Sequence, residues 1–329
     1  LASYCLRNAN AGLLCIAIPA GGKEVSMDLP RAHVKRIPAP LRTKSIFQTV
    51  EPYLFLLPAL VVFIFFLYFP FIRTIYLSLF LTNKYGLAKV FVGAKNYLDI
   101  FQADSSFWPS LLVTFQFVFL VGLGGLVIGL ITSLLTERKY PGNTFASAIY
   151  AMPVAIASAA ASMSFKMILH PTNGLLNILL DTQINWTGDA KFALFSVAAM
   201  TVWLTSGINF IFLSAGLRNI PAELYESASL DGAGYFKRLW HVTLPGLSPT
   251  LFFQVIINII GGFQSFSQIR LLTQGGPGEA TNVIVYAIYR DAFFNFRFGT
   301  AAARSVILFI IVLCITLVQF SMEKRSVHY

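Results

Sequence analysis

The chain is predicted to be an all-α polytopic membrane protein with six transmembrane helices. Of its 329 residues 56% are hydrophobic and only 12% are charged, about half of the roughly 25% charged residues of an ordinary soluble domain. Apolar runs long enough to cross a bilayer recur along it, and none alternates with the two-residue period of a barrel strand. In hydrocarbon every backbone polar group needs an internal partner, so such runs are helices.

Taken in order, residues 1–26 are expected to be a non-native or disordered extension, because Met27 is the first methionine. The apolar run 13–20 has the length of a signal-peptide core, which is the alternative reading, but it is too short to span a bilayer at about 20 residues. Residues 27–50 read as a basic cytoplasmic lead-in carrying Arg31, Lys35, Arg36, Arg42 and Lys44, with turn-forming Pro38 and Pro40. Residues 51–322 form the membrane domain, with spans near 53–80, 109–135, 145–169, 192–217, 250–272 and 301–320. Residues 323–329 form a short cytoplasmic tail. With the N-terminus inside, fourteen Lys and Arg fall on cytoplasmic segments and seven on external ones, while Arg73, Lys166 and Arg304 sit near span ends. The excess places both termini, and the loop 219–249, in the cytoplasm.

Other classes lack support. The net charge of +10 is spread over the connectors, where the positive-inside bias accounts for it without nucleic acid. Cys5, Cys15 and Cys314 have no metal-ligand spacing, and His33, His170, His241 and His328 are dispersed. No nucleophile–base arrangement or metal motif appears, so neither an enzyme nor a metal site is expected.

The loop 219–249 carries the most information. Glu226, Ser227, Ala228, Gly232, Val242, Leu244 and Pro245 read E-S-A-x3-G-x9-V-x-L-P. Pro221 suits a first helical position, and Asp231 with Gly232 ends that helix, since Gly tolerates a left-handed cap. A second amphipathic stretch carries Phe236, Leu239, Trp240 and Thr243, and Pro245 stops it. Two short helices about a Gly turn make a compact knob. On amphipathicity alone this could also be a loop lying on the membrane surface.

The spacing resembles the EAA loop of permease subunits of binding-protein-dependent ABC importers, written E-A-A-x3-G-x9-I-x-L-P. Ser for Ala and Val for Ile are mild departures. The resemblance extends along the chain. Residues 53–58 (Y-L-F-L-L-P), Val92-Gly93 with Asn96-Tyr97, Gly275-Gly276-Pro277 with Ala280-Thr281, and Tyr289-Arg290 with Phe293, Gly299, Ala301 to Ala303 and Ser305 are similar to the carbohydrate-type permeases of maltose and glycerol-3-phosphate importers. The C-terminal stretch is most similar to the A-type permease of the latter.

The resemblance implies an ABC importer permease fold forming half of a translocation pathway in the bacterial inner membrane. It implies a second homologous permease, an ABC ATPase dimer and an extracytoplasmic solute-binding protein as partners. It also implies that Glu226 supports docking on the ATPase, Gly232 permits the bend, and Leu244 and Pro245 set the angle back into the membrane. No G-x-x-x-x-G-K-[ST] loop is present, so ATP and Mg are expected on the partner and no cofactor on this chain. The competing class is an ATP-independent secondary transporter or channel, which would show half-chain repeats or ionisable residues at the midplane.

A polar small molecule or oligosaccharide needs polar and aromatic groups at membrane depth, but an ionised one there costs about 2.5–3.5 kcal/mol. Gln254, Asn258, Ser265 and Gln268 recur at helical spacing in the fifth span, with Phe263, Gln264 and Phe266 beside them. Amides donate to and accept from hydroxyls, and aromatic faces pack on sugar rings. Trp203, Asn209 and Gln116 are secondary pathway candidates, with Ser206 beside them. Hydrogen bonding between neighbouring helices is the structural alternative for all of these amides. Gly125 and Gly129 form G-x-x-x-G, which reads as close helix packing.

Overall fold

The computed structural model describes residues 2–7, 13–18, 46–102, 104–137 and 140–326. The chain divides into a unit of residues 1–58 and a unit of residues 59–329. In the first, β1 (Ala2–Arg7) and β2 (Leu13–Ile18) pair antiparallel, from Ala2 opposite Ile18 to Arg7 opposite Leu13. The segment expected to be disordered thus carries a strand pair. The basic residues 27–45, Arg138, Lys139 and the tail 327–329 lie outside the described residues.

α1 (Ile46–Phe63) begins in the first unit and runs into the second, where a π turn (Ile64–Tyr68) continues it into α2 (Phe69–Ser78). A hairpin of β3 (Phe80–Thr82) and β4 (Ala88–Phe91) leads to α3 (Lys95–Gln102) and the long α4 (Phe107–Glu137). Next come α5 (Asn143–Ala151), α6 (Ser158–Ile168), α7 (Leu175–Leu180), α8 (Ala190–Arg218), α9 (Ala222–Leu230) and α10 (Tyr235–Arg238). A second π turn (Leu239–Thr243) joins α10 to α11 (Leu244–Phe263), followed by α12 (Ser267–Leu272), α13 (Ile284–Phe293) and α14 (Phe298–Ser326).

Among the described residues five helices are long and apolar enough to cross a membrane, or six if the bent pair α5–α6 is one span. That pair departs from the continuous helix expected over 145–169. A 3₁₀ turn with Pro153 (Met152–Ala155) and the extended Ala157 (ψ 135°) separate its arms, which bend by 104°. Proline removes a backbone donor and its ring crowds the preceding turn, so the helix parts there. The fifth span also differs from expectation. Its helix begins at Tyr235 and ends at Phe263, well before residue 272.

Pro245 does not stop the helix, contrary to expectation. The π turn lets the Leu244 N–H reach the Leu239 carbonyl, five residues back, immediately before the proline. The same device precedes Pro70, where the Phe69 N–H reaches the Ile64 carbonyl. A wider turn moves the carbonyls ahead of the ring, so the helix passes a residue that would otherwise break it.

α8 is the central strut: 56% of its membrane window is buried, against 33% for α4 and α11. It packs on α4 through a glycine face. A Cβ on Gly124 would lie 2.8 Å from Val202 Cγ2, and one on Gly129 would lie 2.5 Å from Asn209 Cβ. The G-x-x-x-G pair therefore serves packing within the subunit. Around it Phe117, Val121, Val197, Met200, Ile269 and Tyr286 form the main apolar cluster. From Ala59 to Arg73, by contrast, every side chain is exposed.

Candidate functional site

The knob between α8 and α11 is built from backbone rules. Pro221 caps α9 from outside (φ −57°, ψ 132°) instead of occupying its first turn. At the other end Gly232 takes φ +75°. The Gly232 N–H bonds the Ser229 carbonyl at 3.1 Å, and the Ala233 N–H bonds the Ala228 carbonyl at 2.9 Å. These two bonds make a Schellman cap, whose left-handed position suits glycine. No atom lies within 4 Å of a Cβ placed at Gly232, so conformation and not space requires the glycine.

Tyr225 ties the knob to the membrane helix, its hydroxyl 3.1 Å from Thr243 Oγ1 in the second π turn. Arg238 Nη1 donates to Ser229 Oγ at 3.2 Å across the two short helices. Burial pushes the Tyr225 hydroxyl above its usual pKa, the nearby Glu137 charge adds to the rise, and the Thr243 bond opposes it. Below, Leu217, Ile220 and Leu247 form a small apolar anchor.

The second stretch does not present one apolar face, as its spacing suggested. Thr243 is buried, whereas Phe236 (74% exposed), Trp240 (66%) and Leu230 (90%) stand outward. Glu226, Ser227, Asp231 and Pro245 are exposed, and Ala228 and Leu244 are half-buried. The knob thus offers exposed aromatics beside carboxylates, on a support tied into the bundle.

The polar stripe of the fifth span is divided. Asn209 Oδ1 accepts from Gln254 Nε2 at 3.0 Å and from Asn258 Nδ2 at 2.9 Å, while Asn209 Nδ2 donates to the Thr205 carbonyl at 3.0 Å. All three amides are buried, and α4 closes over them with Gly125, where a Cβ would lie 2.9 Å from Asn209 Nδ2. In this conformation they clasp α8 to α11 instead of lining open space. Gln254 Oε1 is left buried without a hydrogen bond among the described residues.

Phe263 is buried and meets Phe115 edge-on at 5.4 Å, and Ser265 Oγ turns back to the Gly261 carbonyl. Gln264 is exposed in the break after α11 and Gln268 is half-buried on α12; the side chain of neither makes a hydrogen bond among the described residues. Phe266 packs on Tyr289 at 4.9 Å, Trp203 packs on Phe165 at 5.4 Å, and Gln116 is exposed.

One cluster escaped the sequence reading. Arg304 on α14 is 3% exposed and pairs with Asp104, before α4, and with Asp291 on α13 at 3.2 Å. Asp104 also accepts from the Ser106 N–H at 2.9 Å and the Ser106 hydroxyl at 2.7 Å. Burial works to raise the Asp104 carboxyl, but the Ser106 bonds and the Arg304 charge outweigh it and hold the carboxyl below its usual range. These groups floor a polar cleft of about 770 Å³ at the bundle end opposite the knob. The three residues are 200 positions apart at the extremes, so only D-x-S ahead of a helix hinted at the site.

Comparison with known proteins places this geometry. Residues 125–327 match the family described as "Binding-protein-dependent transport system inner membrane component". The chain is 35% identical over 284 residues to the sn-glycerol-3-phosphate transport system permease protein UgpA of Agrobacterium fabrum, covering 85% of this chain and 97% of that one. It is 32% identical over 282 residues to the protein of that name in Escherichia coli (strain UTI89 / UPEC), covering 84% and 95%.

Among solved structures it superposes on a chain of a bacterial ABC transporter involved in alginate import, with TM-score 0.74 over 85% of this chain and 98% of that chain. At 23% identity that likeness concerns the fold. Family membership sets aside both the ATP-independent transporter and the enzyme, and makes the protein a non-catalytic, multi-pass permease subunit of binding-protein-dependent import. The chain belongs to the binding-protein-dependent transport system inner membrane components.

Proposed function

We propose that this permease forms half of a six-span translocation unit, with the bent pair α5–α6 as the third span and both termini in the cytoplasm. The other half is a second, homologous permease, and two ATPase subunits bind the cytoplasmic face and carry ATP and Mg. An extracytoplasmic binding protein delivers the solute, a sugar or a glycerol-phosphate-like polyol. The membrane domain comprises residues 51–322, and the knob within 219–249 is the docking element. Residues 1–26 stand outside this working unit, 27–50 form its basic lead-in, and 323–329 its tail.

The observation that carries this reading is the knob. It presents Phe236, Trp240 and Leu230 outward beside Glu226 and Asp231, while Tyr225 and the apolar anchor fix it to α8 and α11. Exposed aromatics on a rigid support suit a partner groove, and ATP-driven closure of the ATPase pair would move such a knob as a rigid body. Glu226, Ser227, Ala228, Asp231, Gly232, Leu244 and Pro245 are assigned to this coupling. Gln264 and Gln268 are assigned to the pathway in the present conformation. Gln254, Asn258 and Asn209 join it only when the clasp opens, and Phe263, Ser265, Phe266, Trp203 and Gln116 are supporting positions.

The test is affinity purification from the native membrane in mild detergent, with partners identified by mass spectrometry. Recovery of an ABC ATPase, a second permease and a binding protein is expected. A chain that purified only with itself, while moving solute without ATP, would overturn the proposal.

A further inference from the structure

Arg270 differs from Arg290 and Arg304, the paired arginines at the same end of the bundle. It lies on α12, at the end of the bundle opposite the knob, where Ile269 (0% exposed) and Leu272 (5%) pin the helix into the main apolar cluster. Arg270 itself is exposed. Its guanidinium carbon sits 4.7 Å from the Tyr289 ring centroid and 5.8 Å from that of Phe266. Both rings pack against the same cluster, so the cation is held in place by aromatic faces. Arg290 pairs with Glu279 at 2.6 Å, and Arg304 is neutralised by two carboxylates. Arg270 has no ion pair among the described residues.

Two neighbours in the chain share this condition: the Gln264 and Gln268 amides have no hydrogen-bond partner among the described residues. Amides and a guanidinium without partners in the chain are not stable against hydrocarbon, so this end of α11 and α12 faces water or the polar surface of a partner. An oriented, uncompensated guanidinium fork matches the oxygens of a phosphoryl or carboxylate group. Amides suit hydroxyls, and the Tyr289 and Phe266 rings suit C–H faces.

We infer that Arg270 is a specificity-determining residue that reads the anionic group of a polyol solute at the mouth of the pathway, with Gln264 and Gln268 reading its hydroxyls. The inference rests on the importer reading and narrows its solute to an anionic one. The same fork also fits the phosphate of a lipid headgroup, and the two sources separate experimentally.

The experiment uses the whole importer, with both permeases, ATPase and binding protein, in proteoliposomes. ATP-driven uptake of sn-glycerol-3-phosphate is measured together with ATP hydrolysis stimulated by the binding protein. Wild type is expected to accumulate this probe. Arg270→Gln should lower uptake per ATP hydrolysed at least tenfold, and Arg270→Lys should fall between, because an ammonium keeps the charge but loses the fork. A fold defect would lower uptake and hydrolysis together and leave their ratio intact, which would overturn the inference.

Wild type that carries maltose and not the phosphate ester would overturn it too. So would an Arg270→Gln defect found in phosphatidylglycerol vesicles and absent in phosphatidylcholine, which would assign the fork to headgroups. If wild type hydrolyses ATP in response to the binding protein but rejects the anion, the importer reading stands and the inference alone fails. If neither uptake nor stimulated hydrolysis occurs, the importer reading itself falls and takes the inference with it.

Discussion

Asn209 concentrates a large demand in one oxygen, which accepts from both Gln254 and Asn258 in a site closed by Gly125 and Gly129. Asn209→Leu would leave two buried donors without that acceptor, each costing about 1–3 kcal/mol. The purified variant should melt several degrees below wild type in detergent, and unchanged melting would deny the clasp. Gly129→Leu should be worse, because a Cβ placed there would lie 2.5 Å from Asn209 Cβ and the two helices must spread. The amides were visible in the sequence at helical spacing. Spacing alone, however, does not separate a stripe facing water from one facing an amide on another helix. The deciding partner is 45 to 49 positions away in the chain.

The knob was largely legible because each of its signals is local: a proline before α9, a glycine after it, and a fixed interval to Leu244 and Pro245. What escaped was the π turn, since Pro245 reads as a stop unless a preceding carbonyl is moved aside. Gly232→Pro should abolish ATP-driven uptake while the protein still inserts. Proline cannot take φ +75°, and it deletes the N–H that bonds Ser229; normal uptake at wild-type expression would count against the docking model. Phe236→Ala and Trp240→Ala should each weaken ATPase association about tenfold, the loss typical of an aromatic anchor at about 1.4 kcal/mol, as read by co-purification titration.

The ionic floor joining Asp104, Asp291 and Arg304 makes a different prediction at the same scale. Folding lowers the Asp104 pKa, so its contribution is complete above the ordinary carboxylate range and is lost as pH falls through the lowered value. Asp104→Asn should therefore be less stable than wild type at neutral pH, by up to about 3 kcal/mol with Asp291 still paired to Arg304. The gap should close only in strong acid. Melting curves that stay a constant distance apart throughout the acidic range, strong acid included, would show that the charge does not matter.

For the whole molecule the question is direction. The structure puts the knob at one end of the bundle and the β3–β4 hairpin with the Arg304 floor at the other. Which end faces the cytoplasm is an inference from charge. Translocating Lys and Arg is disfavoured, and they are twice as numerous on the segments that the sequence assigns to the same side as the loop 219–249, fourteen against seven. Two readings of different origin then meet at one surface, because the spacing of Glu226, Gly232 and Pro245 resembles that of a loop that docks on an ATPase, and ATP is cytoplasmic. Single cysteines placed on a background lacking Cys5, Cys15 and Cys314 decide the matter. Phe236→Cys should react with an impermeant maleimide only in inside-out vesicles, and Lys89→Cys, exposed on β4, only in right-side-out ones. The reverse pattern would put the knob outside, away from ATP, and would remove the docking function whatever the loop's sequence resembles.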